Sequence, residues 1–209
     1  MSYWENARPI QRSRAVDTAA VARASAELLD TGGLRALTVR AVAAQLGVAP
    51  ASLYSRISAV SDLYDLALDA TLGGDAQYAA ALDDAGIEEL LLGYYRHLVR
   101  HPWAYQVIAA RAPRGPNYLR LSERMVVLLE RAGHAEPLET AYTLSNFVIG
   151  SASTTRMAPG ELGTSVPVDI APRYAAYHAQ GRLEPERLLR AGLRALLAGS
   201  PRRTPGSAP

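Results

Sequence analysis

Apolar residues recur every three or four positions along most of the chain, and this spacing predicts α-helices. After Thr38, for example, Val42 and Leu46 follow Val39 on one helical face. No stretch alternates apolar and polar residues as a half-buried strand does. The pattern therefore predicts an all-α protein. We expect helices over about residues 14–30, 38–46, 49 or 50 to 56, 61–72, 87–100, 103–112, 117–131, 137–157, 171–180 and 185–197, with a loop over 159–169.

Capping residues and glycines predict where the first helices begin and end. Thr38 and Ser61 are expected as N-caps, because a hydroxyl can accept a hydrogen bond from a free amide of the first turn. Gly32-Gly33 and Gly47 fit turns that need a left-handed backbone. Two short helices separated by such a turn predict a helix-turn-helix, which presents its second helix to the major groove of DNA.

The second of these helices has a composition suited to DNA contact. Small residues at Ala49, Ala51 and Ser52 let its backbone approach a groove closely. Ser52, Tyr54 and Arg56 carry polar tips that can reach phosphates and base edges. An ordinary pair of amphipathic helices would explain any one of these features, but their combination in register favours a DNA-binding unit.

The same segment resembles the tetracycline-repressor (TetR) family, strongly over about residues 14–70. Further on, the starts of two helices, His101-Pro102-Trp103 and Gly115-Pro116-Asn117, are similar to the tetracycline-repressor type of C-terminal domain. The features that carry the stronger resemblance are Gly32-Gly33-Leu34, Leu37-Thr38-Val39-Arg40, Leu46-Gly47-Val48 and Leu53-Tyr54.

This resemblance implies a division into two domains with flexible tails: a DNA-binding domain over 14–60, a ligand-binding and dimerisation domain over 61–199, and tails over 1–13 and 200–209. The family usually has a lysine where this chain has Val60, and Arg56 or the arm residues Arg8, Arg12 and Arg14 are expected to replace its phosphate contact. The residues that it implies at the DNA are Thr38, Val39, Arg40, Pro50, Ala51, Ser52, Tyr54, Ser55 and Arg56.

Charge is unevenly divided along the chain. Residues 1–60 hold seven arginines and four acidic residues, whereas residues 61–199 hold thirteen arginines and sixteen acidic residues. A basic end on an acidic body predicts that this end meets a polyanion. Double-stranded operator DNA is therefore the partner expected for the first sixty residues.

The resemblance also implies a homodimer joined by a four-helix bundle. The helices expected to form it are 137–157 and 185–197, which contain the small-residue run 150–153. The alternative is that these helices are buried within one subunit. Both arrangements produce the same apolar periodicity, so the sequence pattern leaves this alternative open. The apolar stripe of the last helix consists of Leu189, Leu193, Leu196 and Leu197.

Polar or aromatic residues on otherwise apolar helices are the candidates for a small-molecule effector site. Each of them is equally explained, taken alone, by core packing or by a solvated tip. Asn146 is favoured, since an amide among Leu144, Phe147 and Val148 needs a partner if it is buried. The candidates are Tyr94, His97, Tyr105, Met125, Tyr142, Asn146 and Arg156.

Signals for other kinds of chemistry are weak or absent. His97 and His101 have the i, i+4 spacing of a metal pair, but no third ligand is evident, so no metal and no cofactor are predicted. The chain has no cysteine and no GxSxG, GxGxxG, Walker or HExxH motif, so we expect no enzyme. A membrane-spanning apolar run and a secretory signal are also missing, which favours a cytoplasmic protein.

The sequence thus predicts a DNA-binding repressor that a small molecule releases from its operator. The alternative is a helical small-molecule-binding protein of the same fold that has lost DNA binding. Val60, in place of the family's usual lysine, is the feature that favours this alternative.

Overall fold

The predicted all-α class is confirmed by the computed structural model, which describes residues 2–5, 16–181 and 183–202 apart from the side chain of Pro159. The described residues form α-helices and short 3₁₀ helices, and no strand lies among them. The 3₁₀ helices are Tyr3–Glu5, Leu34–Ala36 and Thr155–Met157. The α-helices are α1 (Thr18–Gly32), α2 (Val39–Gln45), α3 (Pro50–Leu53), α4 (Val60–Gly74), α5 (Ala76–Asp84), α6 (Ile87–Arg100), α7 (Pro102–Ala110), α8 (Pro116–Arg131), α9 (Pro137–Thr154), α10 (Ala158–Glu161), α11 (Pro172–Gln180) and α12 (Pro185–Gly199).

The two expected N-caps have different outcomes. Thr38 caps α2, and its hydroxyl accepts a hydrogen bond from the Ala41 amide at 3.0 Å. Ser61 does not cap α4, which begins one residue earlier, after Ala59. The Asp62 carboxylate accepts hydrogen bonds from the amides of Ser58 (2.6 Å) and Ala59. A carboxylate that satisfies two amides at once is a stronger helix start than a hydroxyl, which explains the shift.

Helices α1, α2 and α3 form a small bundle, the head. Leu53 is fully buried and anchors α3, while Val42 does the same for α2. Gly47 adopts a φ of 65°, which allows the tight turn between these two helices. Helix α4 packs along α1 and also against α8. The expected domain boundary at residue 60 coincides with the start of α4, and the division into two domains stays a prediction.

The rest of the chain, the body, is built around α6, on which Leu90, Leu91 and Leu92 are all fully buried. Helix α9 packs against α6, α8 and α12. Leu189 and Leu193 of α12 are buried within this single chain, so half of the expected apolar stripe belongs to the body's own core.

Two segments differ from the expectation. Helix α4 runs through its two glycines to Gly74, and α5 follows at once because the Asp75 carboxylate accepts hydrogen bonds from the amides of Gln77 and Tyr78. The expected loop over 159–169 contains most of the short helix α10. None of the helices in the described part of the chain has the length and apolar character needed to cross a bilayer.

Candidate nucleic-acid interface and ligand cavity

The exposed face of α2 and α3 brings most of the predicted DNA-contacting residues together. Leu53 points into the head, and its neighbours Ser52 and Tyr54 are exposed, Tyr54 by 59%. Arg40 is exposed on α2, and no described residue forms an ion pair or side-chain hydrogen bond with it. The recognition surface, as we call it, consists of Thr38, Arg40, Pro50, Ala51, Ser52, Tyr54 and Ser55.

Two of the predicted contacts are placed differently. Val39 is only 7% exposed, because its side chain packs into the core, and it does not lie on the recognition surface. Arg56 is half-buried, and its Nε donates a hydrogen bond to the Val16 carbonyl at 2.8 Å. Arg56 therefore holds the start of α1 in addition to facing solvent. The residues expected as the alternative to Arg56 in replacing the lysine's contact, Arg8, Arg12 and Arg14, lie outside the described residues.

The start of α4 offers few groups to DNA. Val60 is half-buried and packs against the core. The amides of Ser58 and Ala59 are already bonded to Asp62, as described above. The start of α4 consequently lacks the lysine, and the two amides that precede it are already used within the protein.

A cavity of about 610 Å³ opens between the end of α7, α8 and α9. Its volume lies within the range of natural sites for small organic ligands. Three of the predicted effector residues line it: Met125, which is buried, and Tyr142 and Asn146, which are exposed. Asn146 was favoured on the condition that its amide is buried. The amide is exposed, so the residue borders the cavity without needing a partner there.

The other four predicted effector residues do not line this cavity. Tyr94 lies behind its wall, with its hydroxyl 3.2 Å from the hydroxyl of Tyr118. Tyr105 is half-buried elsewhere on α7, and Arg156 is exposed beyond the end of α9. His97 belongs to a separate polar cluster.

Among the lining residues that sequence reasoning missed are Arg111, Arg114 and Tyr118. Arg114 lies within the Pro113-Arg114-Gly115-Pro116 segment, and Arg111 and Tyr118 lie on either side of it. The prolines and glycine of this segment indicated only a helix boundary. No local pattern distinguishes these arginines from solvated ones. Only their position at the end of α7 and the start of α8 brings them to the cavity.

Two buried carboxylates on α4 bind this wall of the cavity. Asp65 Oδ1 lies 3.0 Å from Arg111 Nε, and Asp65 Oδ2 accepts a hydrogen bond from the Tyr3 amide at 2.8 Å. Asp69 accepts hydrogen bonds from the amides of Asn117 (2.8 Å) and Tyr118 (3.2 Å). Burial raises the pKa of Asp69, although these hydrogen bonds oppose the shift. Helix α4 is thus attached to both sides of the helix boundary that borders the cavity.

His97 lies in a buried cluster on α6. Its Nδ1 is 3.1 Å from Asp75 Oδ2, which also accepts a hydrogen bond from Arg100. Burial lowers the pKa of His97 to about 4, and the nearby His101 contributes to this shift. Although burial opposes it, the hydrogen bonds from Tyr78, His97 and Arg100 lower the pKa of Asp75.

The two histidines that had metal-ligand spacing bind different carboxylates. His101 Nδ1 lies 2.7 Å from Asp30 Oδ1, on α1, and this oxygen also accepts a hydrogen bond from the Trp103 indole. Among the described residues, no group of three His, Cys, Asp or Glu side chains is arranged to hold a metal ion. His101 instead forms part of the contact between the head and the body, whereas His97 binds a carboxylate of the body.

Helix-turn-helix geometry with a larger helical body defines a class of regulatory proteins, and comparisons with known proteins identify the family. The sequence model of bacterial regulatory proteins of the tetR family matches residues 21–56. The model of the tetracyclin repressor-like C-terminal domain matches residues 85–199, which is more than half of the chain. The chain belongs to the tetR family, as its sequence motifs predicted.

Three relatives illustrate the similarity. An HTH-type transcriptional regulator of Saccharopolyspora erythraea is 35% identical over 138 residues, which cover 64% of this chain and 58% of that protein. The HTH-type transcriptional repressor DrrR1 of Streptomyces coeruleorubidus is 32% identical over 142 residues, which cover 63% of this chain and 51% of the repressor. The chain thus spans little more than half the length of these curated relatives.

The third relative is a solved structure. The TetR family protein ActR of Streptomyces coelicolor, crystallised in complex with actinorhodin, has a TM-score of 0.70 to this chain at 25% identity. The superposition covers 88% of this chain and 96% of ActR. The order of the helices described above is therefore shared over nearly the whole of ActR.

Proposed function

We propose that this protein is a transcriptional repressor that binds operator DNA through the recognition surface and leaves it when a small molecule enters the cavity. The exposure of Arg40, Ser52 and Tyr54 around the buried anchor Leu53 is the observation that carries this proposal. Their guanidinium and hydroxyl groups suit phosphate oxygens and base edges. Since bacterial DNA lies in the cytoplasm, the proposal places the protein there and assigns it no catalytic role.

The protein acts as a homodimer in this proposal. Helices α9 and α12 leave an apolar groove of about 610 Å³, to which Phe147, Met157, Leu183 and Leu188 contribute. Leu188 and Met157 are among the large apolar side chains that are exposed in the single chain. A second copy that covers this groove places two recognition surfaces about one turn of DNA, or about 34 Å, apart.

Helix α4 is the route by which the cavity influences the head. Arg111, at the cavity, is paired with Asp65, and the first amides of α8 are bonded to Asp69. A ligand that displaces either helix end shifts α4, and α4 packs along α1 of the head. Release of DNA requires only a difference in affinity between two arrangements, and such couplings amount to about 1–3 kcal/mol.

Fluorescence anisotropy with a labelled fragment from upstream of the protein's own gene tests the proposal. We expect competitor-resistant binding, with two subunits per site and a steep dependence on salt. Arg40→Ala and Tyr54→Phe should each weaken the binding about tenfold, because each removes one contact. Arg131→Ala, exposed at the end of α8, is the matched control and should bind as the unmodified protein does.

The alternative predicts the opposite result. If the fragment competes no better than random DNA, and genome-wide selection enriches no sequence, the protein is a small-molecule-binding member of the fold that has lost DNA binding. The half-buried Val60 and the occupied amides of Ser58 and Ala59, just before α4, favour that alternative.

A further inference from the structure

We propose that the cavity at α7, α8 and α9 takes an amphipathic organic acid, whose anionic group binds Arg114 and whose apolar body lies against α8 and α9. This inference rests on the proposed function only in taking this cavity as the effector site. It adds the chemical class of the effector, which the residues of the wall themselves indicate.

The charge of the wall is the first argument. Arg111 and Arg114 both line the cavity, and no acidic residue does so within the described part of the chain. Arg111 is neutralised by Asp65, whose carboxylate is almost completely buried behind the wall. Arg114 is exposed and forms no ion pair or hydrogen bond with any described residue. The wall therefore keeps one uncompensated positive charge, which attracts an anion and repels a cation.

A second argument comes from the tyrosine pair behind the cavity. The Tyr94 hydroxyl is fully buried, and the Tyr118 hydroxyl is its described partner, at 3.2 Å. If Tyr118 donated to Tyr94, the Tyr94 proton would stay buried without an acceptor, at a cost of about 1–3 kcal/mol. Tyr94 is therefore the donor, and the Tyr118 proton stays available to an acceptor in the cavity.

The protonation of this pair fits the same ligand. Burial raises the pKa of both Tyr94 and Tyr118, so both phenols keep their protons at neutral pH. Tyr118 lies four residues after Arg114, across Gly115-Pro116, and both side chains border the cavity. A guanidinium and a phenol proton that border the same cavity are two donors that suit a carboxylate.

The remaining wall fits an apolar body. Ile108, Met125, Val126 and Ile149 line it. Two of its hydroxyls are already used within the protein: Ser122 donates to the Tyr118 carbonyl at 3.1 Å, and Ser145 donates to the Met125 sulfur at 3.8 Å. This part of the cavity consequently offers mainly dispersion contacts and apolar burial.

Matched pairs of an acid and its neutral amide test this inference on the full chain by isothermal titration calorimetry. The probes are pyrenebutyrate with pyrenebutyramide, and decanoate with decanamide. At least one acid should bind about tenfold more tightly than its amide, a preference that falls as salt is added. Arg114→Ala should remove the preference and leave the affinity for the amide in place, whereas Arg131→Ala should retain the preference.

Three results overturn the inference: equal affinity for acid and amide in both pairs, an acid preference that persists in Arg114→Ala, or no binding of either acid up to its solubility limit. The operator titration of the unmodified protein is scored separately. Specific DNA binding without an acid preference contradicts the organic-acid effector and supports the repressor function. An acid preference without specific DNA binding supports the organic-acid ligand and contradicts the repressor function.

Discussion

The recognition surface and the carboxylates of α4 are built in opposite ways. Arg40 and Tyr54 are exposed and have no side-chain partner among the described residues. Asp65 is buried, and its partners Ser2, Tyr3 and Arg111 are 46 to 63 positions away in the chain. The first region thus keeps the polar tips of Arg40 and Tyr54 free for another molecule, while the second uses its carboxylates to join distant segments of the same chain.

This difference separates residues that act in binding from residues that act in folding. An exposed polar side chain can be changed at little cost to stability, because water takes the place of what is removed. A buried carboxylate cannot be removed without leaving its donors unpaired. Five substitutions test this contrast, in order of decreasing expected effect on the free energy of unfolding.

Asp65→Ala should have the largest effect. It leaves Arg111, of which only about a quarter is exposed, without its carboxylate, and it releases the Tyr3 amide. We expect a loss of about 4 kcal/mol in the free energy of unfolding, measured by urea denaturation. Asp83→Ala, exposed on α5, is the control. A loss for Asp65→Ala no greater than the control's would contradict the structural role of the α4 carboxylates.

Leu53→Ala tests the buried side of α3. Leu53 is completely buried, and its truncation leaves a cavity in the small head. The expected loss is about 3 kcal/mol, read from the same urea curves. Ser52→Ala, one residue earlier and exposed, should change the stability by less than about 0.5 kcal/mol. Similar losses from the two variants would mean that α3 does not have an inner and an outer side.

The buried cluster of His97 predicts a dependence on pH. Its pKa of about 4 lies below the ordinary value of 6.5, so between these two pH values the unfolded chain binds a proton that the folded chain does not. The contribution of His97 to stability should therefore be complete above pH 6.5, and stability should fall by about 3 kcal/mol as the pH drops to 4.

His97→Gln should remove most of this slope, and His178→Gln, on α11, should retain it. Thermal and urea denaturation at a series of pH values measure both variants. A slope in His97→Gln as steep as in the unmodified protein would assign the pH dependence to other groups.

Arg40→Ala and Tyr54→Phe should have the smallest effect on folding. Because neither side chain has a described partner, the free energy of unfolding should change by less than about 0.5 kcal/mol, although DNA affinity falls. The comparison of urea denaturation with operator anisotropy on the same samples checks this. A variant that loses both stability and DNA binding would show that its residue supports the head's structure.

Much of the head could be predicted because its signals are local. The hydroxyl of Thr38, the glycine at position 47 and the buried side chains of Val42 and Leu53 act within a few residues of one another. The cap at Ser61 was wrong for an equally local reason, since Asp62 binds the amides of Ser58 and Ala59 and the helix begins at Val60. Val39 and Arg56 show the limit of the motif. It predicted that both residues contact DNA, but it could not predict that Val39 packs into the core or that Arg56 binds the chain just before α1.

The cavity was far less predictable. Met125, Tyr142 and Asn146 were named from their polarity on apolar helices, and this criterion selected Tyr105 and Arg156 equally. Arg111 and Arg114 were not named, since nothing near them in the chain separates a cavity arginine from a surface one. Tyr94 reaches the cavity only through the hydrogen bond between its hydroxyl and that of Tyr118, which lies 24 positions further along the chain.

By itself, the sequence determined the helical class, the family and the outward side of the recognition helix, because helix periodicity, caps and turns depend on neighbours within one or two turns. The tertiary structure alone decided which carboxylates meet which arginines, where the cavity opens and which tyrosine borders it. Those properties depend on how α4, α7, α8 and α9 pack, and packing joins residues whose separation in the chain carries no periodic signal.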